Sequence, residues 1–266
     1  LFPYTTLFRS ELESELSQDQ LSPVNRRVKI IQSVFFEEDN PTLESLAEQY
    51  LVSKTSLYND LKIINEIIVS NGIEIISNND GLTSQGAENE IQLAIKQLVT
   101  HFSNLIEEKS VNAKLYHFFE KQLVDIVSKI LHKNFRELTE KVSDYYMESL
   151  LTTLLVQCRR IQMGYHVEGE DDYLFSSIRY METFVVANDM SERLSQETVL
   201  NFSEADKDYL SRQLFAHRVT TEVKASDEKY VDLVYRLISR MSKIEKIDLT
   251  QDEHLFNSLL YHIPAM

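Results

Sequence analysis

The sequence predicts a mainly α-helical protein, and three observations carry that prediction. Five glycines and four prolines in 266 residues leave few points at which helix must stop. Leu, Ile, Val, Tyr and Phe recur at three- and four-residue spacing over long stretches, the period of a helix with one buried face. Strand-like alternation is confined to "IEIISNNDGLTSQG", where an Asn-Asn-Asp-Gly turn separates two short strands.

The elements follow in chain order. The opening "LFPYTTLFRS" has no helical period and changes abruptly into the acidic "ELESELSQDQ", so residues 1–22 are expected to be irregular, an assembly artefact or a frayed terminus. "VNRRVKIIQSVFF" places Val24, Val28, Ile31, Val34 and Phe35 on one helical stripe, which Asn40 and Pro41 of "EEDNPT" break. Thr42 is the expected N-cap of a second, short helix, with Glu44 and Ser45 in its first turn and Leu43, Leu46, Ala47 and Tyr50 facing inward. Ser53 caps a third helix whose apolar face is Leu57, Leu61, Ile64 and Ile67 or Ile68, and Gly72 ends it.

A short helix, a tight turn, a longer helix opening on small polar and basic residues, and a hairpin behind it are the parts of a winged helix-turn-helix over residues 23–86. Beside the cap Ser53, the spacing leaves Lys54, Thr55, Ser56, Tyr58, Asn59 and Lys62 on the solvent side of the third helix. There they can meet the phosphates and base edges of double-stranded DNA. Charge opposes this reading. The net charge is −15, and between Arg26 and Asp80 nine acidic residues face five basic ones. Non-specific attraction to DNA is therefore disfavoured, and binding must come from a local surface. A helical protein-interaction scaffold with no nucleic-acid role fits the same spacing.

Residues 87–139 read as a helical connector of two amphipathic helices, "AENEIQLAIKQLVTHFSNLIEE" and "NAKLYHFFEKQLVDIVSKILHKNF". His101, His117 and His132 lie there without ligand partners at i+3 or i+4 and read as ordinary surface or core-edge residues. No metal site and no cofactor are expected. Neither G-x-G-x-x-G nor G-x-x-x-x-G-K-[ST] occurs, which argues against enzymes built on phosphate loops, and no enzymatic activity is expected. The single cysteine, Cys158, rules out an internal disulfide framework and fits a reducing cytoplasm. Beside Arg159 and Arg160 its thiol has either a lowered pKa or, the reading favoured here, a half-buried inert environment. No run approaches the ~18 apolar residues of a membrane span, so insertion in a membrane is not expected.

An internal repeat closes the chain. "DYYMESLLTTL", residues 144–154, aligns with "EHLFNSLLYHI", residues 253–263, sharing "SLL" and placing Thr153 over His262. "IDLTQDEHLFNSLLYHIPA" reads as a helix opening at Thr250, acidic in its first turn and apolar inward at 255, 256, 259 and 260. This stretch resembles the end of a PTS regulation domain, the five-helix module of bacterial sugar-operon regulators, in which acid and leucines precede a histidine followed by Leu/Ile-x-Pro-Ala. "SDYYMESLLTTLLVQCRRIQMG" looks like the beginning of that module and "SEADKDYLSRQLFAHR" like its middle. "TLESLAEQYLVSKTSLYNDLKIINEII" with "GLTSQGAENEIQLAIKQLV" resembles the winged helix-turn-helix of mannitol- and lichenan-operon type regulators and of the Mga regulators.

The resemblance implies a winged helix-turn-helix followed by an all-α, five-helix regulation domain over residues 140–266, in a cytoplasmic regulator truncated at both ends. It implies a DNA operator as partner and a homodimer through the regulation domain. It also implies that His262 accepts a phosphoryl group from HPr or an enzyme II component. A neutral ring nitrogen suits such reversible transfer. Thr153 stands where the family has its first histidine, so that half-site is silent, while the family arginine is kept at Arg160 with Arg159 beside it, both candidates to hold the phosphoryl oxygens. His254, eight residues before His262, is too distant along the helix to share a metal, and His166 and His217 fall in loop or helix-end surroundings. Two further readings remain. One is a Mga-like regulator without phosphorylation. The other is an RNA-binding antiterminator under the same sensor, against which the helix-turn-helix and wing argue.

Overall fold

The computed structural model describes residues 22–37, 40–79, 81–135, 144–169, 182–216, 228–245 and 247–250, together with Leu255, Phe256 and Leu259. These hold ten helices and one two-stranded sheet, a mainly α protein as expected. Cα proximity divides the chain into two units, residues 1–125 with 152–165, and residues 126–151 with 166–266.

In the first unit α1 spans Pro23–Phe36, α2 Leu43–Gln49 and α3 Lys54–Ile68, followed by a 3₁₀ turn at Val69–Asn71. Local chemistry fixes each start. The Ser22 hydroxyl accepts from Asn25 N–H with Pro23 in the first helical turn, Thr42 and Ser45 form a reciprocal capping box, and the Ser53 hydroxyl accepts from Ser56 N–H. Between α2 and α3 the chain turns through a Schellman pair. Val52 N–H reaches Ala47 O at 3.1 Å and Leu51 N–H reaches Glu48 O at 3.3 Å, with Leu51 in the left-handed region at φ 54° where glycine is usual. Gly72, at φ 71°, ends the 3₁₀ turn.

The wing is β1, Ile75–Asn78, paired antiparallel with β2, Gly81–Ser84, with Asn78 opposite Gly81. It is tied down beside the α1–α2 loop, where Leu82 N–H donates to Pro41 O at 2.8 Å. A Cβ on Gly81 would come within 2.6 Å of Asn40 O, so the approach requires glycine. Helix α4, Glu88–Ser103, packs on α1 and α3, so the winged-helix core continues past the expected boundary at residue 86. Phe35, Leu57, Ile64, Leu82, Ile95 and Phe102 fill that core.

Two details of the expected pattern change. On α1 the buried stripe is Val28, Ile31 and Phe35 with Ile30 and Phe36, whereas Val24 and Val34 are only half-buried and Arg26 and Ser33 go inside. The stretch expected as one helix from residue 112 to 135 is broken into α5, Val111–Leu115, and α6, Lys121–Phe135. The break lies where consecutive Phe118 and Phe119 both bury. Phe119 packs on Phe36 at 5.1 Å between ring centroids, and Phe118 O accepts from Gln32 Nε2 at 3.1 Å instead of continuing a helical ladder.

Helix α7, Asp144–Gln162, ends in a second Schellman motif at Gly164, with Tyr165 N–H on Arg160 O at 3.0 Å. In the second unit α8, Glu182–Thr198, packs on α9, Glu204–Ala216, and buried Ser211 donates to Thr183 Oγ1 at 3.0 Å. Helix α10, Glu228–Glu245, places Val234 and Ile238 against Leu249, Leu255, Phe256 and Leu259, three of them inward positions expected of the closing segment. No strand occurs among the described residues of this unit.

Val199, just past α8, is β-branched, 92% exposed and held at φ 58°. That conformation is strained for an L-residue, and a side chain standing in solvent gains no packing to offset it. Val199→Gly is expected to stabilise the protein by about 0.5–1 kcal/mol in chemical denaturation.

Candidate nucleic-acid interface

Helix α3 buries Leu57, Asp60, Leu61, Ile64 and Ile68, and this set determines which face it shows to solvent. Ser53, Lys54, Thr55, Tyr58, Asn59 and Lys62 are exposed, Tyr58 by 57%, and Ser56 is half-buried beneath them. Positions 54, 55, 58, 59 and 62 recur at helical spacing and form one polar stripe with an aromatic ring in its middle.

Buried polar contacts hold that stripe in place at two levels. Asp60, 1% exposed, accepts from Arg26 Nε at 2.6 Å on one oxygen and from Arg27 Nε at 2.8 Å on the other, joining α3 to the amino-terminal turn of α1. Five residues later Asn65 clasps the wing. Its Nδ2 donates to Ile75 O at 2.9 Å and its Oδ1 accepts from Ile75 N–H at 2.8 Å, the pattern by which a neighbouring strand would hold β1. Helix and wing therefore present themselves as one surface.

The basic residues of this surface are partly engaged. Lys54 pairs with Glu44 at the start of α2, a hydrogen bond that holds the Glu44 carboxyl below and the Lys54 ammonium above their ordinary values. Lys62 Nζ lies 3.9 Å from Glu66. Both pairs are exposed, so each is worth little and can yield to a phosphate. The wing residues Ser77, Asn78 and Asn79 are exposed and uncharged.

The other expected site residues are placed as follows. His262 lies outside the described residues, as do His217 and His254. Thr153 is buried in α7. Arg160 has a different partner from the one expected of a phosphate ligand. Its Nε and Nη2 grip Glu88 at 2.8 and 2.7 Å, Nη1 donates to Phe35 O at 3.0 Å, and Tyr165 covers the guanidinium face at 3.9 Å. Arg159 donates to Phe36 O and, at 3.4 Å, to Gln162. Cys158 is fully buried and its thiol is pushed up to about 12 by desolvation, the inert environment rather than the activated one. His101 and His132 are exposed, and His117 Nε2 stands 3.8 Å from Glu108. His166 is bound through Nδ1 to buried Asp206 at 2.7 Å, which also caps α9 by accepting from Ser203 N–H. Among the described residues no three His, Cys, Asp or Glu are grouped to hold a metal, and no helix is long and apolar enough to cross a membrane.

Asp60, Arg26 and Asn65 escaped the sequence reading because charged and amide side chains default to the surface. A hint existed for Asp60, which shares the i, i+3, i+4 face with Leu57, Leu61 and Ile64.

Comparison with known proteins agrees with the geometry. Residues 7–99 match the Mga helix-turn-helix domain, a match that begins within the segment expected to be irregular. Two curated relatives from Bacillus subtilis align over nearly the whole chain. The transcriptional regulator ManR is 23% identical across 97% of this chain and 40% of its own length, and the probable licABCH operon regulator is 18% identical across 98% and 42%. The chain thus spans about two fifths of the length of the curated relatives it matches. The Mga-like helix-turn-helix read from the sequence is the one the family comparison returns, and the two relatives are named as a transcriptional regulator and a probable operon regulator.

Removing one partner from the buried Asp60 cluster leaves uncompensated charge. Asp60→Ala is expected to lower unfolding stability by about 3–5 kcal/mol in urea titration, well beyond an exposed-site change such as Glu66→Ala.

Proposed function

We propose that this chain is a bacterial transcription regulator of a sugar-utilisation operon, binding its DNA operator through the exposed stripe of α3 and the wing beside it. The observation that carries this reading is the stripe itself. Lys54, Thr55, Tyr58 and Asn59 share one exposed face of a helix anchored from behind by Asp60 and Asn65, inside a segment matching the Mga helix-turn-helix domain. Lysine and the hydroxyls suit phosphates, and Asn59 suits the N6/N7 edge of an adenine. The acidity of the chain requires that affinity come from this local surface and from two copies on a two-fold operator, so a homodimer belongs to the proposal.

Control is proposed to run through phosphorylation of His262 by HPr or an enzyme II component, supported by the likeness of "SLLYHIPA" to the regulation-domain ending. A new charge near −2 on that residue is the switch. A second reading, a Mga-like regulator whose sensor takes no phosphate, is favoured by buried Thr153 at the position of the family's first histidine.

A gel shift on the DNA upstream of the chain's own operon, repeated over a range of salt, tests the first claim. Lys54→Ala/Asn59→Ala is expected to weaken operator binding by roughly 1–3 kcal/mol for each base edge that is no longer read, with helicity unchanged by circular dichroism. Unaltered affinity would remove α3 from recognition. For the second claim, incubation of the chain with enzyme I, HPr and phosphoenolpyruvate is expected to give an acid-labile, base-stable label that His262→Ala abolishes. No label, beside a regulation domain that takes it in the same tube, would favour the Mga-like reading.

A further inference from the structure

We propose that Arg159 and Arg160 are positioning residues for the recognition helix, acting through α1. The proposal rests on reading α3 as the DNA-contacting helix. Phe35 and Phe36 are the last two residues of α1, and their carbonyls have no partner within that helix. Arg160 Nη1 donates to Phe35 O at 3.0 Å and Arg159 Nη2 donates to Phe36 O, placing two cations at the negative end of the helix dipole. The Arg160 guanidinium is held on every side. Arg160 is fixed by both oxygens of Glu88, itself buried at the first turn of α4, and by the Tyr165 ring stacked over it.

The opposite end of α1 carries the second arginine pair. Arg26 and Arg27 hold Asp60 of α3, about 15 Å along the helix axis from Phe36. Helix α1 is therefore a rod gripped at its carboxyl end by α7 and gripping α3 at its amino end. Asp60 is the neighbour of Asn59 on the exposed stripe, so a tilt or roll of α1 shifts the stripe directly. Helix α7 begins at Asp144 among residues grouped with the second unit, and from Thr152 onward its residues belong to the first. A rotation of α7 about its own axis is thus delivered to α1 at Phe35 and Phe36.

The test is the full chain carrying Arg160→Met, Glu88→Met and Gln92→Leu together. Glu88 Oε1 also accepts from buried Gln92 Nε2 at 3.0 Å, so all three polar side chains are replaced by apolar ones of similar size, which is close to neutral, whereas Arg160→Met alone strands a buried carboxylate. The triple substitution therefore keeps the fold while cutting the tie to Phe35. Hydrogen exchange over 54–68, measured without DNA, is expected to quicken about tenfold while exchange in α8 and α9 and the thermal midpoint stay as in wild type. Using DNA selected by the wild-type chain from a random duplex pool, the ratio of selected to random-sequence affinity is expected to fall about tenfold, with random-sequence binding unchanged. Arg160→Lys with Arg159→Lys keeps the charge without the fork, and is expected to lie between the two. Wild-type exchange over 54–68 in the triple variant would overturn the proposal. So would faster exchange spread evenly through the chain with a lowered midpoint, which would make the clasp a staple and nothing more. If the wild-type chain selects no sequence, the DNA reading falls, and the exchange measurement still decides the clasp.

Discussion

Everything the first unit offers to a partner depends on one buried carboxylate. Asp60 sits among the apolar residues of α3 with an arginine on each oxygen. A charge at 1% exposure is tolerable only when both lone-pair directions are filled, and Arg26 and Arg27 fill them from adjacent positions of one helical turn. The cluster is weak evidence for stability, since an apolar triad of the same volume could do as well. Its effect is to fix direction. Leu57, Leu61 and Ile64 pack α3 onto the core but would allow it to slide or roll by a fraction of a turn, whereas two charge-assisted hydrogen bonds to one carboxylate set its register against α1.

The charge of the protein then acquires a local meaning. Of the five basic residues between Arg26 and Asp80, Arg26 and Arg27 are taken up by Asp60, and Lys54 and Lys62 rest against exposed glutamates. The surface is close to neutral when no partner is bound. A duplex phosphate can displace Glu44 from Lys54 at small cost because both groups are in water. Such a surface offers little non-specific attraction for DNA, and a net charge of −15 lowers it further, so the proposed operator binding rests on groups suited to base edges, for which Asn59, Thr55 and Tyr58 are the candidates.

What the sequence made legible was what is decided within a few residues. Thr42, Ser53 and Gly72 act through atoms three residues away or fewer, and the two strands of the wing pair with Asn78 opposite Gly81, so cap, stop and hairpin could be named in advance. Arg26 pairs with Asp60 across 34 positions and Arg160 with Glu88 across 72, and no local period announces either. Arg160 shows the consequence. Resemblance named it a candidate phosphate contact, and the fold engages it with α1 and α4, which no local pattern announced. The broken helix at Phe118 and Phe119 was hidden for a related reason, because its helical period is sound and only the tertiary demand to bury both rings interrupts it.

The inertness of Cys158 makes the central claim directly measurable, because a cysteine placed elsewhere can be labelled alone. A chain carrying Asn59→Cys, conjugated to an iron chelate and bound to its operator, is predicted to cut the DNA at a few base pairs in each half-site. The same label at Lys121→Cys, on α6, should leave the DNA intact. Cutting from position 121 with none from position 59 would contradict the account, because the DNA would then lie on a different face of this protein.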